Sequence, residues 1–221
     1  MQVLHHLNIV THVLLGTAAL FLGCVALANQ HRPGKHRVYG RYFLYLLTGV
    51  VATALLGALL FRAMPFLLML TFLSGYVGYA GYRCIRLRTR PLQGIDFGIA
   101  LAVSLAAGIF VFGAGSKDAS WSPAVVYPTL SALWLVTAYD MVKYLWLHQR
   151  LRHWWLYEHI YKMISAFSAL LSAFSGTVLP HFKPYSQIFP SVICVLLIGY
   201  FIRQRYRMMS RREITSRAIA S

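Results

Sequence analysis

The chain has 221 residues, 58% of them hydrophobic and only 12% charged, with a formal net charge of +16 at pH 7. A soluble domain carries about twice that charged fraction, so composition excludes the soluble classes and predicts an integral membrane protein. The positive excess does not point to nucleic acid, because the basic residues sit in short clusters between apolar runs, where topology signals belong.

A helical span takes ~20 predominantly apolar residues. Seven runs qualify: Leu7–Ala28, Val38–Phe61, Pro65–Cys84, Gly94–Gly115, Ser122–Leu147, Trp155–Leu179 and Tyr185–Ile202. No basic n-region stands ahead of the first run, so it is expected to stay as a span rather than leave as a signal peptide. Its His5, Asn8, His12, Gly16, Ala19, Gly23 and Ala26 recur at three- and four-residue steps. Such small and polar faces pack against neighbouring helices rather than lipid. The second run repeats the device with Gly49, Thr53 and Gly57, and the third interleaves Gly75, Gly78 and Gly81 with Tyr76, Tyr79 and Tyr82. The sixth aligns Trp155, His159, Lys162, Ala166, Ala169 and Ala173. In the seventh, Pro190 is expected to kink the helix or delay its start.

Basic residues orient the runs. Arg32, Lys35, Arg37 and Arg41 lie around the first junction, Arg83, Arg86, Arg88 and Arg90 around the third, and Lys143, Arg150, Arg152 and Lys162 around the fifth. Arg203, Arg205, Arg207, Arg211, Arg212 and Arg217 fill the tail, leaving Arg62, Lys117 and Lys183 for the alternate loops. The positive-inside rule then gives an all-α, seven-helix transmembrane bundle, N-terminus outside and C-terminus in the cytoplasm. It forms one domain over residues 1–203, with a basic cytoplasmic tail over 204–221. The expected setting is the bacterial cytoplasmic membrane, with anionic headgroups meeting the basic rim. Cys24, Cys84 and Cys194 lie singly in separate apolar segments without CxxC spacing, which argues against a disulfide framework or thiolate metal site.

Ionisable groups inside spans are costly and mark functional candidates. His12, beside Gly16 one turn on, reads either as a haem or metal ligand or as an imidazole bonded to another helix. Asp140 and Lys143, three apart, are expected to pair on one helix face. His36, Asp140 and His159 belong to the cytoplasmic side and have the ligand types of a divalent-metal site. Trp146, Trp154, Trp155, Tyr157 and Tyr161 read as an interfacial belt. Haem b is the expected cofactor if one is bound, with His12, His36 and His159 as candidate ligands. Bis-histidine ligation needs two imidazoles at one membrane level, on opposite sides of the porphyrin. His12 lies in the outer half and His159 in the inner half, so they do not share one haem. The inner pair is His36 with His159, and the outer partners of His12 are His5, His6 or His181. His36 and His181 are expected in loops.

His12-x3-Gly16-x2-Ala19-Leu20, the loop His36-Arg37-x2-Gly40, and Trp155-x3-His159-x3-Met163-x2-Ala166 together resemble a group of uncharacterised bacterial multi-pass membrane proteins. The resemblance implies an inner-membrane protein and singles out His12, His36, Arg37, Gly40, Trp155 and His159. It implies no catalytic residues. Four functional readings remain open on the sequence: a haem-associated redox or electron-transfer protein, a small-molecule transporter or exporter, a membrane-embedded metal-dependent hydrolase, and an accessory subunit that binds another membrane protein.

Overall fold

The computed structural model describes residues 2–61, 65–114 and 123–220, and all the regular structure among them is helical. In chain order come α1 (Gln2–Ala28), α2 (Pro33–Phe61), α3 (Pro65–Leu87), α4 (Gly94–Ile109), α5 (Pro123–Val142), a short α6 (His148–Leu151), α7 (Trp155–Val178) and α8 (Tyr185–Ala220). Wider π turns extend α4 over Phe110–Ala114 and α5 over Lys143–Leu147. The expected run ends Gly115 and Ser122, and the outer-loop residues Arg62 and Lys117, lie outside the described residues.

Five helical segments are long and apolar enough to cross a membrane: Gln2–Ala28, Pro33–Leu60, Gly94–Gly113, Pro123–Val178 and Tyr185–Met209. The fourth contains both α5 and α7. At 1.5 Å rise per residue, its 56 residues would greatly exceed a hydrocarbon core of ~30 Å if straight; the turn around α6 divides it. The third run, on α3, falls outside the five, and its position explains why. Helix α3 packs against α2, α4, α5 and α7, so Met69, Leu70, Thr71, Ser74, Tyr76, Val77 and Ala80 face protein rather than surroundings. A helix enclosed in this way can carry polar groups that a lipid-facing helix cannot.

The small-residue faces set the register. Gly49 meets Leu15, Thr53 meets His12 and Gly57 meets Asn8, so α1 and α2 run antiparallel. Gly75 meets Val51, and Gly78 meets Leu47 at 2.7 Å from where a Cβ would stand, which brings α3 tightly onto α2. Gly81 does the same for α7, with Met163 and Lys162 against it. Each of these glycines replaces side-chain bulk with backbone approach, which is how helices associate where burial of apolar surface supplies little drive. On the far side of α7, Ser172 bonds Ser191 at 3.1 Å, which ties on α8.

Helix α8 runs unbroken through Pro190, so the proline neither delays its start nor interrupts it. No helix break marks the expected boundary between residues 203 and 204. Helix α3 ends where Arg88 adopts a left-handed φ of 53°, and the Arg88 guanidinium lies over the Trp155 ring at 5.9 Å. That contact fixes the start of α7 against the end of α3.

Candidate functional site

The polar interior is concentrated at one end of the bundle, where α3 and α5 finish and α4 and α7 begin. Three of the chain's five acidic residues are there, each bonded to a basic side chain. Lys162 Nζ donates to Asp140 Oδ1 at 2.5 Å, and Tyr76 OH donates to the other oxygen at 2.7 Å. Lys143 Nζ reaches both oxygens of Glu158 at 2.6 Å, and Tyr139 OH donates to Oε1 at 2.9 Å. Lys162 is 1% exposed and Glu158 3%, so neither pair is a surface bridge. Such pairs need nearly complete hydrogen bonding to offset the cost of desolvation, and the two tyrosines supply it.

The third pair is nearer the rim. Arg83 grips both oxygens of Asp96 at 2.6 and 2.8 Å, a bidentate arrangement that favours arginine over lysine. Asp96 also accepts from Tyr79 OH at 2.6 Å and from the Gln93 backbone N–H at 2.8 Å. One carboxylate therefore caps the start of α4 and holds it to α3.

This arrangement corrects the expected Asp140–Lys143 pair. The two residues share one helix, but each takes its partner from α7: Asp140 opposite Lys162, and Lys143 opposite Glu158. An antiparallel helix offers charges directly across the interior. An i,i+3 partner would have to bend along its own helix, and the π turn beginning at Lys143 further alters that spacing. Cys84 lies between the pairs, with Sγ donating to Glu158 Oε2 at 3.4 Å and Lys162 Nζ at 3.9 Å from it. Tyr161 also departs from the belt reading. Its ring meets Tyr139, and Lys162 Nζ lies 5.7 Å from its centroid. Trp146 and Trp154 do face outward.

The histidines divide in two. His36 and His159 come together, their ring centroids 6.5 Å apart and their planes at 87°. His36 lies in the first turn of α2 rather than in a loop. His36 Nδ1 is 2.9 Å from Ala26 O, and His159 Nδ1 is 3.0 Å from Gly81 O. A carbonyl only accepts, so each Nδ1 carries a hydrogen, and Nε2 is the atom whose lone pair a neutral ring would offer. That is the tautomer of a metal-ligating histidine steadied by backbone. His12 is held differently. Thr53 already donates its single hydroxyl proton to Gly49 O or Val50 O, so His12 Nδ1 donates to Thr53 Oγ1 at 2.9 Å. This bond binds α1 to α2 at the other end of the bundle. His181 lies in the 3₁₀ turn Pro180–Phe182 before α8.

Asp140 takes its bonds from Lys162 and Tyr76 rather than from His36 or His159. Among the described residues no group of three His, Cys, Asp or Glu side chains could hold a metal ion. Sequence reasoning missed Glu158 as the partner of Lys143, along with Tyr76, Tyr139 and Cys84. The available signal was the scarcity of acids: with five carboxylates in a membrane chain, each one inside a run requires a named partner.

No family model, curated protein or solved structure matches the chain.

Proposed function

We propose that the chain is a seven-span protein of the bacterial cytoplasmic membrane, N-terminus outside, that holds one haem b between His36 and His159 and serves one-electron transfer. The observation that carries this reading is the paired imidazoles in their ligand tautomers. Two protein ligands are too few for a bare metal ion, whereas a haem asks the protein for only two, since the porphyrin supplies four nitrogens. Gly40, one turn beyond His36, has nothing within 4 Å of where its Cβ would stand, so no side chain packs against that position. Bound there, the haem would supply reversible one-electron chemistry. The backbone carbonyls of Ala26 and Gly81 would orient the two rings and hold their Nε2 atoms unprotonated.

The absorption spectrum of protein purified from cells supplied with iron and haem precursor tests this. A Soret band is expected, lost in His36→Ala and in His159→Ala and retained in His12→Ala. Its absence from the wild type, or its survival in both inner variants, refutes the reading.

A second reading is favoured by the buried ion pairs of α3, α5 and α7, which have the character of an ion pathway in a transporter. Uptake or efflux that fails in Asp140→Asn while the haem spectrum is unchanged would select it.

A further inference from the structure

The ion pairs Arg83–Asp96 and Asp140–Lys162 are not separate features. Tyr76, Tyr79, Ala80, Arg83, Asp96, Asp140 and Lys162 line one small cavity, closed on another side by Leu92, with room for about one water molecule. Arg83 reaches outward as well, donating to the Gln93 side chain at an exposed position, 2.7 Å away. Polar groups therefore run from the exposed Arg83–Gln93 contact through Asp96 and Tyr79 to the cavity, and from there to Tyr76, Asp140 and Lys162. Buried ion pairs of this kind are often no more stabilising than well-packed apolar side chains of the same volume, so stability alone does not account for Asp140 and Lys162. A water-sized space that joins a buried carboxylate to the rim has a direct chemical use.

We propose that Asp140 is a proton-exchange site, supplied from the bundle end bearing Arg83 and Asp96 through this cavity. The step balances simply. A hydronium ion in the cavity breaks one O–H bond, Asp140 gains that proton on a carboxylate oxygen, and a water molecule remains. Lys162 stays an ammonium throughout, and the site gains one positive charge. Tyr76 can rotate its hydroxyl from the loaded carboxyl to the cavity, and Tyr79 can pass the proton inward from Asp96. The other groups facing the site are Cys84 from α3, Tyr139 and Lys143 from α5 and its π turn, and Glu158 and Tyr161 from α7. Lys143 is fully engaged by Glu158, so its charge is compensated within its own pair. This site is independent of the histidine pair and stands whether or not haem is bound.

Infrared difference spectroscopy on the full chain in lipid vesicles, with isotope-labelled aspartate, reads the event directly. Lowering the pH is expected to produce a protonated-carboxyl band that shifts in D₂O and is lost in Asp140→Asn. Asp140→Glu, which keeps a carboxyl, is expected to lose the labelled-aspartate band and gain one from labelled glutamate. Tyr79→Phe is expected to leave the Asp140 band and slow its deuterium shift at least tenfold. A band that survives Asp140→Asn in folded protein overturns the proposal, as does an Asp140 band that never exchanges or a wild type with no band short of acid unfolding. An unslowed shift in Tyr79→Phe overturns the route.

Discussion

Lys162 is the largest fully buried side chain among the described residues, and replacing it by Met removes the ammonium while nearly keeping its volume. Asp140 then remains buried as an anion with one of its two strong partners gone. Breaking a buried pair from one side costs about 3–5 kcal/mol, most of it the uncompensated charge left behind. Tyr76 still donates to Asp140 at 2.7 Å, and a hydrogen bond to a charged group is worth ~1.5–3 kcal/mol. The expected loss is therefore near the lower end, about 3 kcal/mol, and adding Tyr76→Phe deepens it by about 2 kcal/mol. The double variant Lys162→Met/Asp140→Leu removes both charges and fills the space with apolar atoms, so it is expected within about 1 kcal/mol of wild type. The resulting coupling between the two positions, measured by reversible unfolding in mixed micelles, is at least 2 kcal/mol in this double-mutant cycle. A single variant that loses under about 1 kcal/mol, or a double variant as unstable as the summed singles, refutes the claim that these side chains are buried and depend on each other.

Glycine positions give a sharp contrast. A Cβ at Gly23 would stand 2.6 and 2.9 Å from the Phe167 ring and 3.2 Å from Phe43, so Gly23→Ala should cost about 1–3 kcal/mol by forcing α1 off α7. At Gly40 nothing lies within 4 Å, and Gly40→Ala in the same unfolding assay should gain up to ~1 kcal/mol from helix propensity. His148, between α5 and α7, is held below its ordinary pKa first by burial and then by the Lys143 and Arg152 charges, with Glu158 opposing. A lowered histidine binds its proton less well folded than unfolded, so its effect is absent above its ordinary value near 6.5 and becomes a growing destabilisation as the pH falls below that. His148→Gln should flatten that part of the stability–pH curve relative to wild type. For topology, a C-terminal fluorescent reporter should mature in the cytoplasm and a C-terminal alkaline phosphatase fusion should stay inactive; the reverse pattern would overturn the orientation.

Local pattern makes the packing faces legible in the sequence. Gly49, Thr53 and Gly57 on α2, and Asn8 and His12 on α1, lie on the small-residue faces expected to meet neighbours, because a helix face without bulk has little to offer except close approach; which helix each face meets, and the place of Leu15, were not in the pattern. The His36–His159 meeting was legible as well, since the basic clusters put both residues at the same end of the bundle, although His36 was expected in a loop and not in α2. The partners of Asp140 and Lys143 were not. Sequence spacing records neighbours along one helix, whereas the ion pairs are set by the antiparallel register of α7 against α5, which depends on how both pack on α3. Tyr76, Tyr139 and Cys84 were hidden for the same reason. In a run with Tyr76, Tyr79 and Tyr82 at three-residue steps, nothing local tells which hydroxyl meets a carboxylate. Tyr76 faces the interior and Tyr82 faces outward, a difference fixed by the rotation of α3 among its neighbours.

The haem-to-protein ratio of the purified chain, taken with its ligation state, tests the central claim most directly. One low-spin, bis-imidazole haem b per chain is expected, because the proposed ligands His36 and His159 make one pair of adjacent rings and His12 is engaged by Thr53. No haem, or two haems per chain with one lost in His12→Ala, would contradict it.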